Sequence, residues 1–364
     1  MKINDLTSYL ETLAPMSLQE SYDNSGLLIG DAGAGINNTL ICLDLTMAVL
    51  DEAISEGYDL IISHHPLIFS GLKKLTGRSE TERIVIKAIK HDIAVYAIHT
   101  NLDNVYRGVN AMLCEKLGVK EAVILQPLSE KLNKLVIFCP HEHAAKVRGA
   151  LFSAGAGHIG NYDNCSFNTD GYGTFRAGEG SDPFVGEEGK LHTENETRIE
   201  VIFPDHLRSN LLKALIESHP YEEVAFDIYP LKNEYLQAGA GMIGSLEKPM
   251  TEQDFMAMLK KTLGTGVIRH SAFCDRKISK VAVCGGSGSF LIGNAIASGA
   301  DIFITGDVKY HQFFEAEGKM IIADAGHFET EQFTKELIYN ILNEKFPTFA
   351  LRISQVNTNA VHYL

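Results

Sequence analysis

The chain has 364 residues, of which 45% are hydrophobic and 21% are charged, and its formal net charge is -14. This length suggests about two or three domains, each with a core of its own. The negative charge and the lack of any Lys or Arg run argue against a nucleic-acid partner, because such binding needs a basic face. An anionic small-molecule substrate would instead need a local positive centre, which metal ions supply.

Targeting signals and cysteine spacing bear on the cellular compartment. The segment Met1–Leu6 has neither the basic region nor the apolar core of a signal peptide. No apolar run reaches the roughly 18 residues of a membrane span. The six cysteines lie far apart without a CxxC pair, which is typical of reduced thiols. We therefore expect a cytoplasmic protein with no membrane partner.

The predicted elements of the first third alternate between helix and strand. The chain opens with an amphipathic helix, since Ile3, Leu6 and Leu10 recur at helical spacing. The elements that follow are the strands 39–43, 60–62 and 93–98 and the helices 48–56, 80–90 and 110–117. This alternation is typical of βαβ units and favours an α/β fold with a largely parallel sheet.

A segment in the first third of the chain is similar in pattern to a segment near the carboxyl end. Ala53–Ser63 and Ala295–Thr305 share one pattern, in which a helix ends at Gly and an Asp leads into a strand. Under this alignment His65 falls opposite Asp307. Two related α/β lobes would place their strand ends across one cleft. A duplication explains the match, and so does the likeness of all βαβ units, and both explanations stay open.

The middle of the chain has a β-α-β-β-α-β order of its own. Its predicted elements are the strands 135–138, 198–203 and 222–229 and the helices 141–153 and 204–218. The Gly-rich, acidic stretch 171–189 predicts a mobile loop. This order favours an inserted ferredoxin-like α+β domain. We place that domain at 128–237, and the two-lobed α/β domain at 1–127 and 238–364.

Polar side chains stand near the ends of three predicted strands, at the sheet edge where α/β proteins bind ligands. His64 and His65 follow the second strand. Because successive side chains there point to opposite sides, each imidazole can serve a different ion. Asp103 follows the third strand. His327 and Glu331 follow another predicted strand, 320–323, and are four residues apart at a predicted helix start, on one face.

Each of these residues alone has an ordinary explanation, as a loop histidine, a helix cap or a solvated helix start. Together they form a set of imidazoles and carboxylates at one sheet edge. Such a set is typical of a centre of two divalent ions that activates water and stabilises developing negative charge. Imidazole favours Zn²⁺, and Mn²⁺ or Fe²⁺ also suit this ligand set.

Other polar residues are candidates for substrate contact or catalysis. The glycine-rich turn Cys284–Ser289 can cradle phosphate, although a tight turn also explains it and no Walker A lysine follows. Its candidate contacts are Gly286, Ser287 and Gly288. Lys309 is a candidate anion contact. His311 and Glu329 are candidate catalytic residues that carry protons.

Six motifs follow one another along nearly the whole chain. They are Tyr22–Leu27, Ser63–Leu67, His99–Asp103, Gly285–Gly288, Thr305–His311 and Gly326–Glu331. With them the chain resembles the GTP cyclohydrolase I type 2 homologues, also called the Nif-three-like or YqfO-like family. Tyr22 departs from the tryptophan that is usual there. The resemblance implies two α/β lobes, a homohexamer with a central cavity, and two metal ions held by His64, His65, Asp103, His327 and Glu331.

The resemblance also extends to the inserted domain. That domain looks like the PII-like or CutA-like insertion of the longer family members, and the stretches that carry the likeness are Asn133–Phe138, Gly178–Gly186 and His219–Val224. Its implied role is regulation or gating of the cavity.

Two functions from different classes follow. The first is a metal-dependent hydrolase of a nucleotide or related small phosphorylated compound. If the family name describes the activity, GTP is hydrolysed at C8 to formate and dihydroneopterin triphosphate. The second is a metal-binding regulatory or scaffold protein without turnover, whose inserted domain senses a small ligand. A substrate-sized pocket open to the metals would favour the enzyme, and a site sealed by protein ligands would favour the scaffold.

Overall fold

The computed structural model describes residues 1–364. Its backbone divides into two compact units. Unit 1 is formed by Met1–Pro127 together with Gln237–Leu364, and unit 2 is Leu128–Leu236. None of the helices combines the length and the apolar character that crossing a membrane requires.

The first segment of unit 1 opens with an amphipathic helix that buries Ile3, Leu6 and Leu10. Its elements are α1 (Ile3–Leu13), β1 (Gly26–Ile29), β2 (Asn38–Cys42), α2 (Met47–Glu56), β3 (Leu60–Ser63), α3 (Glu80–Lys90), β4 (Ala94–Ala97), α4 (Thr100–Asp103), α5 (Val109–Lys116) and β5 (Val119–Leu128). Every residue of β3 and of β4 is buried. Burial on both faces explains why continuous apolar runs, and not alternating ones, predict these two strands.

Unit 2 is an α+β unit with one antiparallel sheet. Its elements are β6 (Leu132–Pro140), α6 (His141–Ser153), β7 (Phe167–Arg176), β8 (Leu191–Pro204), α7 (Arg208–Ser218) and β9 (Phe226–Leu231). The strand order is β7-β8-β6-β9. The core contains Val147 of α6, Leu211 of α7 and Ile199 of β8. The β-α-β-β-α-β order is that of ferredoxin-like units.

The stretch 171–189 differs from its prediction as a mobile loop. Its first residues, 171–176, belong to β7, which pairs with β8 from Phe167 opposite Glu200 to Arg176 opposite Leu191. Glycine is depleted in strands, so a glycine-rich segment predicts a loop. Pairing with the long β8 outweighs that preference.

The second segment of unit 1 starts with a long strand. Its elements are β10 (Tyr235–Met250), α8 (Glu252–Leu263), β11 (Arg269–His270), β12 (Ile278–Ser287), α9 (Ile292–Ala297), β13 (Ile302–Gly306), β14 (Ile321–Asp324), α10 (His327–Glu331), α11 (Thr334–Lys345) and β15 (Ala350–Ile353). All residues of β13 and β14 are buried, as in the central strands of the first segment.

Two sheets organise unit 1. The five-stranded sheet has the order β1-β4-β3-β2-β15, in which β1 is antiparallel to β4 and the other pairs are parallel. The six-stranded sheet has the order β11-β14-β13-β12-β10-β5; β12, β13 and β14 are parallel, and β10 and β11 are antiparallel to their partners. The predicted α/β class is confirmed, and the added antiparallel strands make both sheets mixed.

Candidate metal centre

The structure brings all five sequence-predicted ligands to one place in unit 1. His64 and His65 directly follow β3, and Asp103 ends the short helix that follows β4. His327 and Glu331 are the first and last residues of α10, which follows β14. Each residue therefore lies just beyond a buried parallel strand, where α/β sheets present their ligand-binding groups.

The ligand atoms fall into three overlapping groups in which they all lie within 4.8 Å of one another. These groups are His64 with Asp103 and Glu331, His65 with His327 and Glu331, and His64 with His65 and His99. Glu331 belongs to two of them. It is therefore the carboxylate that the His64 side of the centre shares with the His65 side.

His64 and Asp103 face each other through two atoms that have no hydrogen-bond partner. Its side chain is fully buried, and its Nδ1 lies 2.8 Å from the carbonyl oxygen of Ile98. A carbonyl only accepts, so Nδ1 carries the proton and Nε2 has a free lone pair. That Nε2 lies 3.5 Å from Asp103 Oδ1, and both atoms are buried without a hydrogen-bond partner. Two facing lone pairs suit a cation between them.

The other imidazoles are oriented in the same way, through Nδ1. His65 Nδ1 donates to Asp44 Oδ1 at 2.7 Å, and His327 Nδ1 donates to Asp307 Oδ2 at 2.7 Å. Their Nε2 atoms lie 2.9 and 3.0 Å from Glu331 Oε2. An acceptor behind each ring fixes its tautomer and orientation, which is the usual arrangement for histidines that bind metal.

Burial and excess negative charge set the protonation of these groups. Burial lowers the pKa of His64 to about 3, so its imidazole is neutral. Burial, reinforced by the charge of Glu331, raises the pKa of Asp103 well above its usual range. Burial opposes charging of His65, but the hydrogen bonds to Asp44 and Glu331 outweigh it and raise its pKa to about 10. Beyond burial, the pKa shifts of Asp103 and His65 reflect carboxylates placed close together with little positive charge between them.

Two features of the backbone hold this geometry. Gly286 has φ +61°, and a Cβ there would lie 2.2 Å from Glu331 Oε1, so only glycine lets the carboxylate lie against the turn. Asp307 also has a positive φ, of 55°. Its carboxylate binds His327 Nδ1 and accepts from Ser287 Oγ at 2.7 Å. A non-glycine residue in this region marks a backbone held by its surroundings.

Four of the five ligands line a cavity of about 920 Å³, namely His65, Asp103, His327 and Glu331, and His64 is buried behind its wall. Its acidic lining residues are Glu20, Asp44, Asp103, Asp307, Asp324, Glu329 and Glu331. Arg269 is the only Lys or Arg among the lining residues, and it is paired with Asp324. Tyr22, Phe69 and Phe290 line the same cavity and are more than half exposed. The cavity therefore joins a strongly negative interior to exposed aromatic rings.

Of the other candidate side chains, two line the cavity and two do not. Glu329 is buried, lines the cavity, and accepts from Asn359 Nδ2 at 3.1 Å through Oε1. Ser287 also lines the cavity. Lys309 and His311 are exposed and do not line it. His311 instead packs beside the ring of Tyr310, with the ring centroids 5.2 Å apart.

The glycine-rich turn supports the ligands with amides that already have acceptors. The N–H of Gly286 donates to Thr330 Oγ1 at 3.0 Å, and the N–H of Gly288 donates to Thr305 Oγ1 at 2.8 Å. An amide engaged in this way does not point at a phosphate. The tight-turn explanation thus accounts for both glycines.

His99 is a site residue that the sequence reading missed. Its Nδ1 donates to Asp23 Oδ1 at 2.8 Å, so it follows the same pattern as the other imidazoles. The Asp23 side chain is fully buried and also accepts from Ser25 Oγ and from the amide of Thr100. These bonds hold the pKa of Asp23 well below its usual range despite the opposing effect of burial. The signal was available, since His99 directly follows a buried strand.

Comparisons with known proteins agree along the whole chain. The sequence model of the family described as Duf34/NIF3 (NGG1p interacting factor 3) matches residues 1–360. Two curated relatives carry the name "GTP cyclohydrolase 1 type 2 homolog". The one from Halalkalibacterium halodurans is 41% identical over 97% of this chain and 96% of its own length. The one from Bacillus subtilis is 39% identical over 97% and 96%.

A solved structure agrees with the sequence comparisons. The Bacillus cereus protein related to NIF3 has a TM-score of 0.87 and 39% identity, with 100% of this chain and 99% of that one covered. Identity above 30% over nearly full length, a family match from residue 1 and a close structural match point to one conclusion. The chain belongs to the Duf34/NIF3 family.

Proposed function

We propose that the protein is a metal-dependent hydrolase of a nucleotide or related small phosphorylated compound. The observation that carries the proposal is the pair of buried, unpartnered atoms, His64 Nε2 and Asp103 Oδ1, which face each other at 3.5 Å. Leaving two such acceptors buried without a donor or a cation would cost about 1–3 kcal/mol each. A bound cation removes this cost, so the donor set fits a metal.

The ligand sets proposed for two divalent ions follow from the overlapping groups. His64 and Asp103 would hold one ion, His65 and His327 the other, and Glu331 would be shared. Zn²⁺ suits the imidazoles best, and Mn²⁺ or Fe²⁺ suit the same mixture of nitrogen and oxygen. When bound, such ions supply the charge that activates water and stabilises an anionic transition state.

The protein's own residues give the cavity its selectivity. Seven carboxylates and one arginine line it, so without bound cations it would repel a phosphate group. Tyr22 and Phe290 offer exposed ring faces on which a planar base can stack. Glu329 is the buried carboxylate beside the ligands that can accept or return a proton. Arg269, which is paired with Asp324, is the one cationic lining residue that can meet substrate oxygens.

The specific reaction we propose is hydrolysis of GTP at C8, giving formate and dihydroneopterin triphosphate. Two kinds of observation support it, the names of the curated relatives and a cavity large enough for a nucleotide. A protein that holds metal only as a scaffold is the competing candidate. The open cavity beside the ligands favours the hydrolase, because structural metal sites are closed by protein ligands.

Turnover separates these two candidates. The protein is stripped with a chelator, reloaded separately with Zn²⁺, Mn²⁺ or Fe²⁺, and its metal content is measured. Release of formate and of phosphate is then followed with GTP and a panel of other nucleotides, with His65→Ala as the matched inactive control. We expect release by the reloaded protein and none by the stripped protein or the variant. A fully loaded protein that releases neither product from any nucleotide contradicts the hydrolase.

The wider assembly is part of the same proposal. Unit 2 would be a PII-like or CutA-like domain inserted into the metal-binding domain, and its ferredoxin-like strand order supports this. The protein would act in the cytoplasm as a homohexamer, and the all-thiol state of its six cysteines is in keeping with a reducing compartment. Light scattering of the purified protein tests the hexamer.

A further inference from the structure

A second cavity lies wholly within unit 2, and its volume is about 860 Å³. This size is within the range of small-molecule pockets. It lies on the sheet face that carries Glu196 and Arg198. Ile199 and Val201 of the same strand face the helices, because successive side chains alternate between faces. The cavity is therefore not part of the core of unit 2.

Aromatic rings form part of the cavity wall. The ring centroids of Phe175 and Tyr221 are 6.1 Å apart, and those of Phe184 and Tyr221 are 6.3 Å apart. Phe138 lines the same space. Ring faces carry partial negative charge and attract a cation placed near them, and grouped rings are the common receptor for organic ammonium groups.

A carboxylate points into this aromatic wall. Glu196 is only 9% exposed, and its Oε1 accepts from the hydroxyl of Tyr221 at 2.9 Å. Its Oε2 accepts no hydrogen bond from the protein, and a Cβ at residue 173 would lie 2.3 Å from it, so Gly173 makes room for the carboxylate. A carboxylate that is mostly buried and has one oxygen without a protein donor is a ready partner for a charged N–H group.

The charged residues that line the cavity determine whether it favours a cationic or an anionic ligand. Five carboxylates line it, Asp170, Glu179, Glu196, Glu222 and Glu223, against two arginines, Arg176 and Arg198. One of these arginines is already engaged, since Arg198 Nη2 lies 2.9 Å from Glu200 Oε1. The net negative lining disfavours a phosphate or a carboxylate ligand and favours a cation.

We propose that this cavity is a binding site for a small organic cation, an amine or a guanidinium compound. The charged nitrogen lies between Glu196 Oε2 and the rings of Phe175, Phe184 and Tyr221. The hydroxyl of Tyr221 orients the carboxylate, and the open space above Gly171 accepts the stem of the ligand. This site goes beyond the proposed hydrolase, and its test does not depend on the metal centre.

Calorimetric titration of the full chain tests the proposal. The probes are phenethylammonium, agmatine and spermidine, and 2-phenylethanol is the neutral counterpart of the first. We expect at least one of the cations to bind with a Kd below about 1 mM, and 2-phenylethanol to bind at least about tenfold more weakly than phenethylammonium. Absence of binding by all three cations overturns the proposal, and so does equal binding of the alcohol.

Two variants place the binding in this cavity. Glu196→Gln removes the charge and keeps Oε1 for Tyr221, and we expect a loss of affinity of at least about tenfold. Phe184→Leu removes one ring from a half-exposed position. We expect the affinity for the cations to fall at least about threefold and the affinity for 2-phenylethanol to stay unchanged. Glu217→Gln, on the exposed side of α7, is the matched control and keeps full affinity. If Glu196→Gln does not fold, Phe184→Leu decides, and unchanged affinity in the folded variants overturns the site.

Discussion

At the scale of single residues, the candidate centre rests on one repeated arrangement. Each imidazole uses Nδ1 to donate to a protein oxygen, the carbonyl of Ile98 for His64 and a carboxylate for His65, His99 and His327. The acceptors come from separate parts of the chain. Four histidines oriented by the same means at one place are hard to explain as packing alone, because packing does not require a common tautomer.

The shared carboxylate gives the first prediction. Glu331→Gln keeps the shape of the side chain and removes the charge that both ligand groups use, so we expect divalent metal affinity to fall by more than about 100-fold, beyond the 10–100-fold typical of residues behind the ligands. Metal titration by calorimetry measures it. Glu336→Gln, a carboxylate paired with Lys116 on the surface, is the control and should bind metal normally. Unchanged affinity in Glu331→Gln would remove it from the ligand set.

The residue behind His99 gives the second prediction. Asp23→Asn weakens five hydrogen bonds at a fully buried carboxylate. Because His99 belongs to a possible ligand group with His64 and His65, we expect metal affinity to fall roughly 10–100-fold and stability to fall by about 1–3 kcal/mol. Calorimetry and denaturant unfolding measure the two effects. Asp31→Asn, on an exposed loop, should change neither. Lower stability with normal affinity would assign Asp23 a purely structural role.

Residue patterns revealed the ligands because each follows a buried apolar strand. His64 and His65 stand next to β3, and Asp103 lies shortly after β4, so sheet geometry alone predicts their meeting. His99 stood at the same kind of position and was overlooked, because its partner Asp23 is 76 residues away in sequence. No local pattern connects a loop aspartate to a distant histidine.

At the scale of elements, glycines at the carboxyl ends of β12 and β13 decide how closely α10 and its two ligands approach the sheet. Gly286 lies against Glu331, and Gly306 has His327 N at 2.7 Å from the position of a Cβ. Both glycines bring α10 close to β12 and β13. From the sequence, phosphate binding and a tight turn both explain this glycine-rich segment, because the partners of its amides are invisible in sequence.

The third prediction separates this role from ordinary glycine flexibility. Gly286→Ala places a methyl group on a left-handed residue against Glu331, so we expect a loss of at least about 1–2 kcal/mol and weaker metal binding. Gly293→Ala lies in the helix α9 with nothing within 4 Å, and we expect a gain of about 0.5–1 kcal/mol. Thermal unfolding and metal titration compare the two. Equal behaviour of the two variants would contradict the packing role.

Elements also explain which candidates lie away from the cavity. Asp307 occupies the left-handed region and turns its carboxylate toward His327. Lys309 immediately precedes the segment Tyr310–Ala316 and His311 lies within it, and both side chains are exposed. Their closeness to Asp307 in sequence favours a role at the same site. The positive φ of Asp307 changes the direction of the chain, however, and the sequence does not predict a positive φ at an aspartate.

At the scale of the whole molecule, the α/β class and the alternating order were predictable, because long apolar runs and βαβ spacing are strong signals. The antiparallel strands β1, β10 and β11 were not, since their pairing depends on partners far away in sequence. The strand β7 was not predictable either, because Gly171 and Gly173 lie within it and glycine is depleted in strands. Strand pairing between distant segments and glycines within a strand therefore set the limit on how much of the fold the sequence predicts.

The fourth prediction concerns the two units in one chain. The proposed ligands all belong to unit 1, so a chelator should lower the melting temperature of unit 1 and leave that of unit 2 unchanged. A metal at about 1,000 times its Kd adds about 4 kcal/mol to the stability of the unit that binds it. Scanning calorimetry with and without metal measures both transitions. An equal shift of both would contradict a ligand set confined to unit 1.

Metal stoichiometry tests the central claim most directly. The full chain and its Glu331→Gln variant are stripped, loaded with Zn²⁺ or Mn²⁺, dialysed and measured by elemental analysis together with protein concentration. The proposed centre predicts two ions per chain in the unaltered protein and loss of both in the variant, because Glu331 belongs to both ligand groups. Less than one ion per chain with every metal, or two ions in the variant, would contradict it.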